Sequence, residues 1–163
     1  MSYGVQYALT APATSQTASI DLFEILAPTT GIVLVTSFYI GQSGTADFGD
    51  AQSEGIKVQI IKGHTVSGSG GAASTAIPLQ TGFPVYTATG SATAECHNTT
   101  IASSGTPLTL HEDNWNVQIG YQWRPAPNEY IVLAPGERLV VRLGAPATDA
   151  MVIQGTINFT RVG

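Results

Sequence analysis

Gly31-Ile-Val-Leu-Val-Thr-Ser-Phe-Tyr-Ile-Gly41 and Gly55-Ile-Lys-Val-Gln-Ile-Ile-Lys62 are the runs on which the fold turns. In the first, Ile32, Leu34, Phe38 and Ile40 share one parity, and Val33, Val35 and Tyr39 share the other. Side chains alternate across a strand, so both faces are apolar and the run reads as a central strand buried on two sides. In the second, Ile56, Val58 and Ile60 alternate with Lys57 and Gln59, the pattern of a strand with one wet face. Long polar loops follow, Gly41 to Ser53 and His64 to Ala76. The pair reads as a rigid base that presents loops.

Working outward, Tyr3, Val5, Tyr7 and Leu9 alternate with Gly4, Gln6 and Ala8, giving a first strand that Pro12 ends. Ile20 and Leu22 then take one parity and Phe23 and Ile25 the other, which favours a β-bulge near Leu22 over a strand buried on both sides. Residues 72–110 hold Pro78, Pro84 and Pro107; short strands are expected near Val85 to Ala88 and Ala92 to His97. Val117, Ile119, Tyr121 and Trp123 continue the parity of Trp115 until Pro125. Pro135-Gly136 fits the central positions of a type II turn. Leu139, Val141 and Leu143 alternate with Arg138 and Arg142, and Met151, Ile153, Gly155, Ile157 and Phe159 form a last strand face. No window shows helical period with caps. The chain is expected to be all-β: an antiparallel β-sandwich, a jelly roll of about eight strands, with an immunoglobulin-like sandwich as the alternative. A single domain spans 1–163, with a candidate projecting lobe at 64–110.

Charged residues make up 10% of the chain, against roughly 25% in ordinary soluble domains. The net charge is -5, with Lys and Arg totalling 6. That scarcity argues against nucleic acid and against anionic membranes as partners. The sole cysteine, Cys96, excludes an internal disulfide. No secretory leader and no apolar run of ~20 residues is visible, so synthesis in a cytoplasm is expected.

No cofactor, metal or catalytic residue is expected. His64, His97 and His111 lack metal-ligand spacing. Cys96 and His97 are neighbours on a strand and point to opposite faces. His111-Glu112-Asp113 reads as a polar turn, and Gly68-Ser-Gly-Gly71 as a flexible connector. Tyr121, Trp123 and Tyr130 read as core rather than as a sugar platform. An interface is the expected site, formed by Asp47, Phe48 and Asp50 in one loop and His64, Ser67 and Gly68 in the other. Small residues there permit close backbone approach, and Phe48, an isolated aromatic in a polar loop, either folds back on its own domain or anchors a partner.

Phe38 to Asp50, Lys57 to Thr65, Ser67 to Gly71, Asn98 to Thr100, Gly105 to Thr109, Trp115 to Gly120 and Pro135 to Leu143 together resemble small proteins of tailed-phage and prophage structural modules. Some of that group are capsid cement or decoration proteins with a jelly-roll fold. The resemblance runs from about Gly31 to Phe159 and carries no catalytic motif. It implies a non-enzymatic structural virion protein on the capsid exterior, made in the host bacterial cytoplasm. Its partners would be the major capsid protein and itself, as a homodimer or homotrimer. The competing class is a head-fibre or tail-associated jelly-roll module that recognises a host glycan.

Overall fold

A computed structural model describes residues 4–43, 54–88, 90–146 and 149–163. Four strands come first: β1 (Val5–Gln16), β2 (Ile20–Leu26), β3 (Ile32–Gln42) and β4 (Gly55–Lys62). An excursion then carries β5 (Ala72–Ala73), β6 (Ile77–Pro78), a 3-10 turn (Tyr86–Ala88) and β7 (Thr93–Asn98). The chain returns through β8 (Leu108–Asn116), β9 (Tyr121–Trp123), β10 (Ile131–Leu133), β11 (Arg138–Leu143) and β12 (Met151–Val162).

The antiparallel pairs nest. β1 pairs with β12, β2 with β11, β3 with β9 and β10 in succession, and β4 with β8. That is one long hairpin. β3 also pairs with β12, and β4 with β11, which rolls the hairpin into two facing sheets. The result is a jelly roll, with β9 and β10 as one interrupted strand. Sheet A runs β10-β3-β12-β1-β6, with β9 also on β3; sheet B runs β5-β7-β2-β11-β4-β8. β3 and β4 therefore lie in different sheets and are not the neighbouring pair their sequence suggests.

Bulges reconcile the parity switches. Asn158 faces Ser37 and Phe159 faces Val35, so Thr36 is the extra residue in β3. The bulge puts Val33 and Val35 on the core side together with Phe38 and Ile40. The opposite face of β3 is half open, with Tyr39 41% exposed, so the strand is not buried on both sides. Leu22 is the extra residue in β2, because Val141 faces Phe23 while Arg142 faces Asp21. Leu22 and Phe23 both enter the core as a result.

Three other expectations change. Pro12 does not end the first strand: β1 continues to Gln16 through a bulge at residues 12–13. The run from Trp115 to Trp123 is not one strand: β8 stops at Asn116, a turn over residues 117–119 crosses between the sheets, and β9 begins at Tyr121. Ile119 is consequently exposed. Residues 86–88 form a 3-10 turn and not a strand. The Pro135-Gly136 turn has the expected form: Gly136 sits at φ 74 and the Glu137 N–H donates to the Ala134 carbonyl at 2.9 Å.

Aromatic contacts close both long edges of the core. Tyr86 meets Tyr7 and Phe159 with ring centroids 5.2 and 4.8 Å apart, and its hydroxyl donates to the Leu26 carbonyl. Burial pushes the Tyr86 hydroxyl well above its ordinary range. At the other edge Tyr121 and Trp123 stack on Phe38 at 5.8 and 5.5 Å, as core packing rather than an exposed platform. Each such pair adds about 0.5–1.5 kcal/mol beyond its buried area.

Candidate functional site

Asp47, Phe48 and Asp50 lie outside the described residues. Of the other expected interface residues, Ser67 and Gly68 are bonded within the chain and His64 is buried. The Ser67 hydroxyl donates to Glu24 Oε1, and the Gly68 N–H donates to Glu24 Oε2 at 3.0 Å. His64 is 8% exposed, and its carbonyl accepts from Arg138 at 3.4 Å.

What holds Ser67 and Gly68 is a strap across the outer face of sheet B. Residues 66–69 and 100–103 pair with each other at Val66–Ser103 and Ser69–Thr100. Beneath them Asp21 and Glu24 have no exposed surface. Three residues apart, they share the outer face only because the Leu22 bulge shifts the alternation. Arg142 grips Asp21 with Nε at 2.7 Å and a second nitrogen at 3.2 Å, and the Ala102 N–H donates to the same carboxylate at 2.6 Å. Glu24 accepts from Ser67, Gly68 and Asn98. Arg138 Nε lies 2.7 Å from Glu24 Oε1 without its N–H aimed at the oxygen, so that contact is ionic. Ile61, Ala102 and Val140 make a small second core under the strap. The glycine-rich run is thus close-packed and not a free connector. A Cβ on Gly68 would lie 2.7 Å from the Thr100 carbonyl oxygen, and one on Gly71 would strike the Cys96 carbonyl. In sequence, two acids and two arginines in otherwise apolar strands are the signal that marks this arrangement.

The outer face of sheet A has no such cover among the described residues. Its register sets out rows across the strands. Val132, Leu34, Thr160 and Gln6 form one row, with Leu79 beside Gln6 through a 2.8 Å backbone bond. Ser37, Asn158, Ala8 and Ile77 form the next. Gln122, Tyr39, Thr156 and Thr10 form a third. Gly41 and Gln154 follow, beside a bulge in β1 at residues 12–13. Not one of these residues is charged. The first two rows carry the apolar content: Leu79 is 60% exposed, Ile77 54% and Val132 47%.

No protein-family model, no curated protein and no solved structure matches this chain.

Polar chemistry elsewhere is built into the fold. No three His, Cys, Asp or Glu side chains converge as a metal site among the described residues. Cys96 is fully buried in the core, and burial raises its thiol pKa, which disfavours the reactive thiolate. His97 turns away from it, with Nε2 2.7 Å from the Pro12 carbonyl, so the neutral ring donates there. His111 and Asp113 lie within β8 and not in a turn. Both contact the Tyr121 hydroxyl, at 2.9 and 3.4 Å, and so clasp β8 of sheet B to β9 of sheet A. Burial first, then Asp113, pushes the Tyr121 hydroxyl up to about 12.

Proposed function

We propose that this chain is a non-enzymatic structural virion protein that decorates the exterior of a tailed-phage capsid and bridges its subunits. The observation that carries the reading is the contrast between the two sheets. A strap covers Asp21 and Glu24 on sheet B, although β8 at its edge exposes Leu108 and Leu110, while the outer face of sheet A has no strap among the described residues, and its first two rows hold no charged residue and expose Leu79, Ile77 and Val132. Strand spacing and residue rise make that face roughly 25 by 25 Å, on the order of 600 Å². A standard interface takes about 800 Å² from each partner, so the face suits a contact of modest strength. Bridging neighbouring subunits multiplies weak contacts through avidity, and a homodimer or homotrimer on a capsid symmetry axis would supply it. The resemblance of the sequence to phage structural modules supplies the partner, the major capsid protein.

The test is to mix the purified protein with capsids stripped of accessory proteins and sediment them. Saturable co-sedimentation at a fixed ratio to capsid subunits is expected. Recovery of all the protein in the supernatant, at concentrations well above micromolar, overturns the reading.

A further inference from the structure

Beyond any role in decoration, we propose that the polar end of the sheet A face is a binding site for a neutral carbohydrate. A cleft of about 540 Å³ opens there, within the range of small-ligand sites. Its position follows from the strand register. Gly41 faces outward beside Gln154, and a Cβ built on it meets nothing within 4 Å, so the missing side chain is the space itself. On the other flank β1 bulges at residues 12–13 and swings its backbone out of line, raising a wall.

The groups that line the cleft select the ligand class. Thr10, Thr156, Gln122, Gln154 and Tyr39 offer hydroxyls, carboxamides and one aromatic ring, and none of the described lining residues is charged. An anionic or cationic ligand would enter without a counter-charge. A small apolar ligand would strand these polar groups. A peptide strand would need unpaired backbone, but the cleft lies on the face of the sheet, where β1, β12 and β3 have their backbone groups in ladders. Sugar hydroxyls, by contrast, both donate and accept. Gln122 Nε2 donates to the Tyr39 hydroxyl at 3.3 Å, which leaves the Gln122 carbonyl oxygen and the Tyr39 hydroxyl hydrogen for a ligand. Thr10 and Thr156 hydroxyls are 3.5 Å apart, a contact weak enough to yield to an incoming hydroxyl. Tyr39 supplies an amphipathic ring for the apolar face of a pyranose.

The test uses the full-length protein labelled with ¹⁵N, titrated with maltotetraose, cellotetraose, chitotetraose and galactotetraose to millimolar levels, beside a broad neutral-glycan array. Sialyllactose serves as the charged comparison. At least one neutral glycan is expected to shift the amides of Thr10, Tyr39, Gly41, Gln122 and Thr156 as a group. Gly41→Trp fills the cleft from a position where the new Cβ meets nothing within 4 Å; it should abolish the response while the melting temperature holds. Tyr39→Ala should weaken binding at least tenfold. No response to any neutral glycan overturns the proposal. So does a response that survives Gly41→Trp, one confined to other parts of the molecule, or a preference for sialyllactose. None of these readouts involves capsids, so failure here and failure of the decoration reading are separate results.

Discussion

Asp21 and Arg142 are the residues on which the outer layer of sheet B depends. The carboxylate has no exposed surface and takes two nitrogens from Arg142 and one N–H from Ala102. Removing one partner of such a pair leaves a charge buried without compensation, which costs about 3–5 kcal/mol. Arg142→Met should therefore lower unfolding stability in urea by that amount. Asp21→Asn combined with Arg142→Met removes both charges and should cost clearly less; an equal loss would mean the charges are not what couples the two residues. His97 carries a pH dependence. Burial lowers its pKa from the ordinary 6.5, with the bond to Pro12 opposing. Between the folded and unfolded values the unfolded chain holds more protons, so stability falls as pH drops below about 6.5 and levels off below the folded value. His97→Asn, a residue that tolerates the φ of 56 found there, should flatten that slope in pH-dependent melts. An unchanged slope would move its origin to another group.

At the scale of elements, legibility followed the regularity of the alternation. β4, β11 and β12 keep period two on the core side, with Ile56, Val58 and Ile60, Leu139, Val141 and Leu143, and Ile153, Ile157 and Phe159 in the core, while most of the opposite parity is polar. β3 is ambiguous in sequence because its bulge at Thr36 sits in a run apolar on both parities, where either register fits equally well. The turn after Asn116 was hidden for the same reason: Val117 and Ile119 continue a parity that the backbone abandons. The strap was illegible because its contacts are non-local. Glycines that allow close approach and glycines that allow flexibility look alike in a sequence. The cleft on sheet A leaves no local trace in the sequence, being made by an absent side chain at Gly41 and by the register of distant strands. A direct check on the strap is Gly68→Val, whose Cβ would press on the Thr100 oxygen and Asn98. It should lift residues 66–69 and 100–103, seen as faster amide exchange at Ser69 and Ser103, while exchange in β12 stays slow. Unchanged protection at both would show that the strap has room to adjust.

For the whole molecule, the rolled hairpin makes two sheets that differ in what lies over them, and that asymmetry predicts which side meets a partner. The strap gives the outer face of sheet B a surface of its own, whereas the sheet A face ends in Leu79, Ile77 and Val132 with no charge in the rows that hold them. Leu79 and Ile77 belong to the excursion; Val132 comes from β10 at the opposite edge. A partner that covers this face must therefore span the sheet. Ile77→Asp with Leu79→Asp places two carboxylates in that surface. Both positions are more than half exposed, so the isolated fold should tolerate them, with a circular dichroism spectrum and melting temperature close to the parent. Under a docked partner the same carboxylates would be desolvated and unpaired, at a cost of roughly 2–5 kcal/mol or more. Capsid co-sedimentation should weaken by at least about thirtyfold, which is what 2 kcal/mol gives. Ser104→Asp, next to the strap on sheet B and also exposed, is the control and should leave binding intact. If Ser104→Asp weakens binding and the double variant does not, the strapped side faces the capsid, and the bare sheet is left for the glycan cleft or for a second copy of the chain.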